Sequence, residues 1–212
     1  MSETAAEKNP PQNRLFTFDS GAGSLPWLLA LATILLMILT LRTEGRIWWC
    51  KWDTPLHFWT FDAWSKHTSQ HFIDPYFFTH ILHGFLFLWF LDLFFHKLLG
   101  KKISFAWLLF FAVLAESFWE VVENSPTVIE RYRENTASLD YFGDSIANSV
   151  GDIAACASGF IIAYGLRFWR SLALFVVVEI FLILTIRDSL LINILMLIHP
   201  IDAIKVWQTG GG

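Results

Sequence analysis

Charge is what this sequence has least of. Asp, Glu, Lys and Arg make up 16% of its 212 residues, while 55% are hydrophobic and 17% aromatic. That balance is too apolar to give a soluble domain of this size a hydrated surface. Long runs of one charge are missing as well. No basic run points to nucleic acid and no acidic tail is present, so the formal charge of −4 identifies no charged partner. Cysteine is confined to Cys50 and Cys156, which form neither a CxxC pair nor a disulfide framework and are expected as free thiols. Gly143-Asp144-Ser145 departs from the GxSxG nucleophile turn, which leaves Ser145 without a case as a nucleophile. No internal repeat and no separate soluble domain stands out.

What the sequence has is apolar runs close to the roughly 20 residues that a membrane-crossing helix needs. They predict an all-α, polytopic transmembrane helix bundle of about five spans, in contact with the lipid bilayer. The spans are expected at 25–41, 76–95, 103–122, 145–166 and 171–186. A further apolar run at 189–199 reads as a re-entrant piece, an interfacial helix or a continuation of the fifth span. Residues 1–24, with Pro10, Pro11 and a Gly-rich GAGS, are expected as a disordered polar tail, 25–208 as one transmembrane domain and 209–212 as a flexible end. The Leu25 to Leu41 run lacks a strongly basic leader and a small-residue cleavage site, so it reads as a retained anchor helix. The turns 96–102 and 165–170 together carry five Lys/Arg and place themselves and the N-terminus in the cytoplasm. Arg42, Arg46, Lys51 and Lys66 on the opposite side weigh against that orientation. Ala147, Gly151, Ala155, Gly159 and Ala163 repeat every fourth residue, a ladder that lets helices approach closely.

Against this apolar background the few ionisable residues stand out, because a charge within a bilayer is costly unless paired or hydrated. His80 and His83 are three apart and share one side of a helix, where two imidazoles suit a shared metal or a proton relay. The alternative is hydrogen bonding between helices. Glu116, Glu120 and Glu123 also follow helical spacing, and three acids that close need protonation, a cation or a metal. Asn124-Ser125-Pro126 ends the helix beside Glu123 and leaves that residue near water. Asp144, Ser145, Asn148 and Asp152 line a face of the fourth span. Asp144 stands equally as an N-cap or a functional acid, whereas Asp152 lies two turns deeper and has no capping role. Glu179 lies mid-span and reads as a protonated acid bonded between helices or as a catalytic one. Arg131 and Arg133 either pair with neighbouring glutamates in a solvated loop or hold a phosphate through their guanidinium groups. His80, His83, Glu116 to Glu123 and Asp144 to Asp152 fall toward one membrane face, as do the 57–74 loop and Arg187-Asp188.

Three blocks carry a family resemblance: SQHFIDPYFFTHILHGF at 69–85, ESFWEVVENSPTVIERYRENTASLDYFGDSIANSVGD at 116–152 and IRDSLLINILMLIHPIDAIKVWQ at 186–208. On these the chain closely resembles the uncharacterised bacterial membrane proteins grouped as domain of unknown function 2585, also called uncharacterised protein family 0314. Pro75-Tyr76-Phe77, where a Trp-Tyr pair is expected, and Ser189, where Asn is usual, depart from the pattern. The resemblance implies a multi-pass protein of the bacterial inner membrane and no particular substrate. A fainter likeness to VanZ-like membrane proteins rests on the order His, Glu, Asp in successive spans and is a fold-level analogy.

Three functions follow from these residues. The first is an enzyme holding one divalent metal ion through His80, His83, Glu120 and Asp152, with Glu116, Glu120, Asp144, Asp152, Arg131 and Arg133 as candidate catalytic residues acting on a lipid-linked phosphate. The second is a proton or metal-ion carrier in which Glu179 extends a relay inward. The third is a non-catalytic membrane subunit or chaperone. The oligomeric state is left open by the sequence.

Overall fold

The computed structural model describes residues 23–52, 57–136 and 141–210. The polar tail falls almost wholly outside them, and so does half of the expected flexible end. Seven helices account for most of the described chain: α1 (Leu25–Thr43), α2 (Phe77–Leu91), α3 (Phe105–Glu123), α4 (Pro126–Asn135), α5 (Ile146–Ile186), α6 (Leu190–Ile198) and α7 (Asp202–Gln208). A π-helical segment, Asp92–Leu98, prolongs α2. Four of these helices are long and apolar enough to cross a membrane: α1, α2 with its extension, α3 and α5. Large apolar side chains on their outer faces, such as Leu36, Leu39, Val177 and Leu184, stay exposed, as lipid-facing residues do.

α5 has 41 residues, about 60 Å if straight and twice the hydrocarbon thickness of a bilayer. It is not straight. Arg167 has φ 64° and ψ 167°, which breaks the helix between the two spans expected from the sequence. The partners of α2 show the consequence. Ile81 and Gly84 meet Gly159, Cys156 and Phe160, while Trp89 meets Phe168, Phe85 meets Phe175 and Phe78 meets Phe181. His80 lies near Asp152 at the start of both helices and Leu88 and Trp89 share a wall with Ala163 and Tyr164 near their ends, so the first half of α5 runs along α2 in its own direction and the second half returns antiparallel to it.

The ladder of small residues is the seam of this packing. A Cβ added to Gly159 would lie 1.9 Å from the Ile81 carbonyl oxygen, and one on Gly84 2.1 Å from that of Cys156. Gly151 similarly abuts the Phe72 carbonyl. Apolar side chains fill the rest: Leu82 and Phe85 of α2, Leu108 and Ala112 of α3 and Phe160 of α5 are fully buried or nearly so, with Met37 and Leu41 of α1 closing the side.

The 189–199 run is a separate helix. Arg187 adopts a left-handed φ of 53°, Ser189 caps α6 by accepting from the Ile192 N–H, and the nine residues of α6 span about 14 Å, too short to cross. The run is therefore not a continuation of the fifth span. α6 instead packs on α4, where the Tyr132 hydroxyl donates to Asn193 Oδ1 at 2.9 Å. Residues 44–52 and 57–76 have little regular structure and lie over the N-terminus of α5. The N–H groups of Ile146 and Ala147 donate to the carbonyls of Ile47 and Trp48, and that of Ser145 to Ser69.

Candidate functional site

The end of α3, the start of α2 and the start of α5 meet at one end of the bundle, so the histidines and acids spaced along separate helices converge. His80 Nδ1 lies 2.6 Å from Glu116 Oε1. His83 Nδ1 lies 2.9 Å from Glu116 Oε2 and 3.0 Å from Oε1. A carboxylate only accepts, so each imidazole turns an Nδ1–H toward Glu116. His80 is surrounded by two more acids, with Nδ1 3.7 Å from Glu120 Oε1 and Nε2 3.9 Å from Asp152 Oδ2. Glu116 and Glu120 are 0% exposed and Asp152 3%, so none of the three is charge-compensated by water.

Among the described residues, both carboxylate oxygens of Glu120 and Oδ1 of Asp152 lack a hydrogen-bond partner. Buried carboxylate oxygens left unpaired are rare because desolvation costs several kcal/mol. One ligand-type atom from each of His80, His83 and Glu116 lies within 4.8 Å of the others, and the same holds for His80, Glu120 and Glu123. This donor set of imidazole nitrogen and carboxylate oxygen suits a divalent cation.

The remaining expected site residues are placed differently. Asp144 is not the N-cap of α5, since Ser145 caps by accepting from the Asn148 N–H. Asp144 Oδ2 instead accepts from Asn124 Nδ2 at 2.8 Å and from the Tyr141 hydroxyl at 3.1 Å, while its own N–H donates to Asn124 Oδ1. Burial pushes its carboxyl above the ordinary range, opposed by those hydrogen bonds. Arg131 and Arg133 do not join the cluster. Arg131 donates to the carbonyls of Leu197 and Ile198, at the C-terminus of α6, and Arg133 donates to the Tyr141 carbonyl. Glu179 accepts from the N–H groups of Leu190 and Leu191 and so caps α6.

Beside the cluster a cavity of about 490 Å³ opens at the same end of the bundle, with Glu123, Tyr132, Asp188, Lys66 and Arg187 in its wall. Asp74 fixes the turn beside this cavity and Asp188 lines it, and neither stands out in the sequence as a site residue. Asp74 accepts from the N–H groups of Ser69, Tyr76 and Phe77, and Asp188 from the Ser189 N–H and the Tyr76 hydroxyl. Burial pushes each carboxyl up to about 6 in spite of those donors. The Asp before Pro75 was the available signal for the first, as Asp-Pro favours turn initiation.

A bundle of membrane-crossing length with a buried histidine–carboxylate cluster at one end defines the class: an all-α, polytopic membrane protein. The chain belongs to the family described as "Protein of unknown function (DUF2585)", whose model matches residues 41–210. It is 45% identical over 185 residues to a UPF0314 protein of Sinorhizobium fredii, covering 87% of this chain and 91% of the relative. A UPF0314 protein of Brucella anthropi is 39% identical over 211 residues, 99% of this chain and 100% of its own. One of Paracoccus denitrificans is 40% identical over 188 residues, 87% and 93% of the two chains. No solved structure matches the chain.

Proposed function

We propose that this protein is an enzyme of the bacterial inner membrane that uses one divalent metal ion to hydrolyse or transfer a phosphate of a lipid-linked substrate. The observation that carries the reading is the set of unpaired, fully buried oxygens on Glu120 and Asp152 beside His80. A cation there compensates the charge of these acids more fully than a protonated His80 alone, which lies 3.7 Å from Glu120 and 3.9 Å from Asp152. His80, His83, Glu120 and Asp152 are the ligands. Glu116 is a positioning residue, holding two imidazoles by their Nδ1–H groups so that Nε2 of each is free to bind, as carboxylates behind metal-bound histidines do.

A divalent ion held there would polarise phosphoryl oxygens and make a nearby water more acidic. Glu123, in the cavity wall one turn from Glu120, would take the proton of that water. The water oxygen would bond to phosphorus as the P–O bond to the lipid side breaks, its electron pair leaving on the lipid-side oxygen, which takes a proton from solvent. Lys66 and Arg187 line the same cavity and supply the positive charge for a phosphate, Arg187 while also reaching the Trp207 carbonyl at 3.5 Å; this role passes to them from Arg131 and Arg133, which do not line the cavity.

The test is metal content by mass spectrometry, with phosphate release from a polyprenyl diphosphate in mixed micelles. Wild-type protein is expected to hold about one ion per chain more than Glu120→Ala or Asp152→Ala, and only the wild type to release phosphate. Equal metal in all three sinks the metal reading. Metal lost in the variants with no hydrolysis in any of them sinks the hydrolase reading and favours the second one, a cation carrier. That second reading has weaker support, because Glu179 is engaged as the cap of α6 and does not extend a relay inward.

A further inference from the structure

The stretches 44–52 and 57–76, before α2, hold a second group of metal-type donors, which shares no residue with the His80 cluster. Cys50 Sγ lies 3.3 Å from His67 Nδ1, and the His67 and His71 rings are 5.7 Å apart. One ligand atom from each of Cys50, His67 and His71 lies within 4.8 Å of the other two. The three come from stretches that other bonds already hold in place. Ile47 and Trp48, just before Cys50, accept from the first N–H groups of α5. The 67–71 stretch is fixed by Ser69 N–H to Asp74, by the Ser145 hydroxyl to the Gln70 carbonyl and by Asn148 to the His71 carbonyl.

The imidazole of His71 is set for ligation. Its Nδ1 is 2.6 Å from the His57 carbonyl oxygen, an acceptor, so Nδ1 carries the proton and Nε2 keeps the lone pair. Cys50 is partly exposed, so an ion can reach it from solvent, while His71 is buried. A thiolate with two imidazoles is a borderline-soft set that suits zinc and leaves a fourth tetrahedral position for water or another ligand.

We propose that Cys50, His67 and His71 form a Zn2+ site that fastens the 46–50 arm to the 66–70 wall of the cavity. On binding, the Cys50 thiol releases its proton to solvent and no redox change occurs. The ion ties the segment over the N-terminus of α5 to the stretch carrying Lys66, Ser69 and Gln70, which line the cavity.

Cobalt(II) added to the full chain in detergent is the probe, since thiolate ligation gives it a charge-transfer absorption that imidazole and carboxylate ligands do not. The band is expected in wild type at about one cobalt per chain, absent in Cys50→Ser and His67→Ala, and retained in Cys156→Ser and His80→Ala. No band in the wild type, or a band that survives Cys50→Ser, overturns the proposal. A second readout needs no variant: zinc is expected to slow alkylation of Cys50 in the wild type by about tenfold or more, because the bound thiolate is no longer the free nucleophile. An unchanged alkylation rate at saturating zinc overturns it as well.

Discussion

Glu116 is the residue whose role the sequence conceals. Its helical spacing with Glu120 makes the two look alike, yet Glu116 spends both oxygens on His80 and His83 while Glu120 has none engaged. That difference depends on where α2 lies against α3, which no local pattern encodes. Glu116→Gln is therefore expected to weaken metal affinity about 10- to 100-fold, the range for groups behind the ligands, whereas Glu120→Ala removes the ion; titration with a metal indicator separates them. Identical losses would contradict the division of roles. Asp188 carries a pH prediction. Its folded carboxyl titrates at about 6 against an ordinary 3.8, so the folded state binds the proton more tightly than the unfolded one. The resulting stabilisation is present at low pH and is lost as pH rises from about 4 to about 6. Asp188→Asn should lose less thermal stability than the wild type across that window, and equal losses would count against the buried, raised carboxyl.

At the scale of elements, the apolar runs located α1, α2, α3 and both halves of α5 to within a few residues, because lipid-facing helices are apolar on most sides and need no period to be recognised. The small-residue ladder was legible too, and its glycines sit where backbones touch. Gly159→Ala and Gly84→Ala each force a Cβ into a carbonyl of the facing segment and are expected to cost about 1–3 kcal/mol, read from thermal unfolding in detergent; a neutral result would mean that the seam is looser than described. The sequence said least about 44–76 and 123–144. In the described parts of both stretches the chain is held by bonds between side chain and backbone, such as Gln70 to the Gly143 carbonyl and the Asp144 N–H to Asn124 Oδ1, which have no periodicity. Glu179 looked like a mid-span acid because α6 folds back on it. Glu179→Ala should cost about 1–2 kcal/mol through loss of its bonds to Leu190 and Leu191 and leave metal content unchanged.

For the whole molecule, the reversal at Arg167 decides which groups share a membrane face. With the two halves of α5 antiparallel along α2, Arg167 lies at the end opposite the histidine–carboxylate cluster, and Asp188 returns to the cluster's end through Tyr76. A cysteine at position 167 and one at 209 are expected to be labelled by an impermeant reagent from opposite sides of the membrane; labelling from the same side would contradict the hairpin. That convergence of separated segments on one face is the basis for a single buried metal site. The most direct test counts metal in Cys50→Ser protein, where the outer thiol group is gone, beside the same protein carrying His80→Ala and His83→Ala. About one ion per chain in the first and none in the second is the expected result. The same count in both, whether one or zero, would contradict the central claim that the His80 cluster holds a metal.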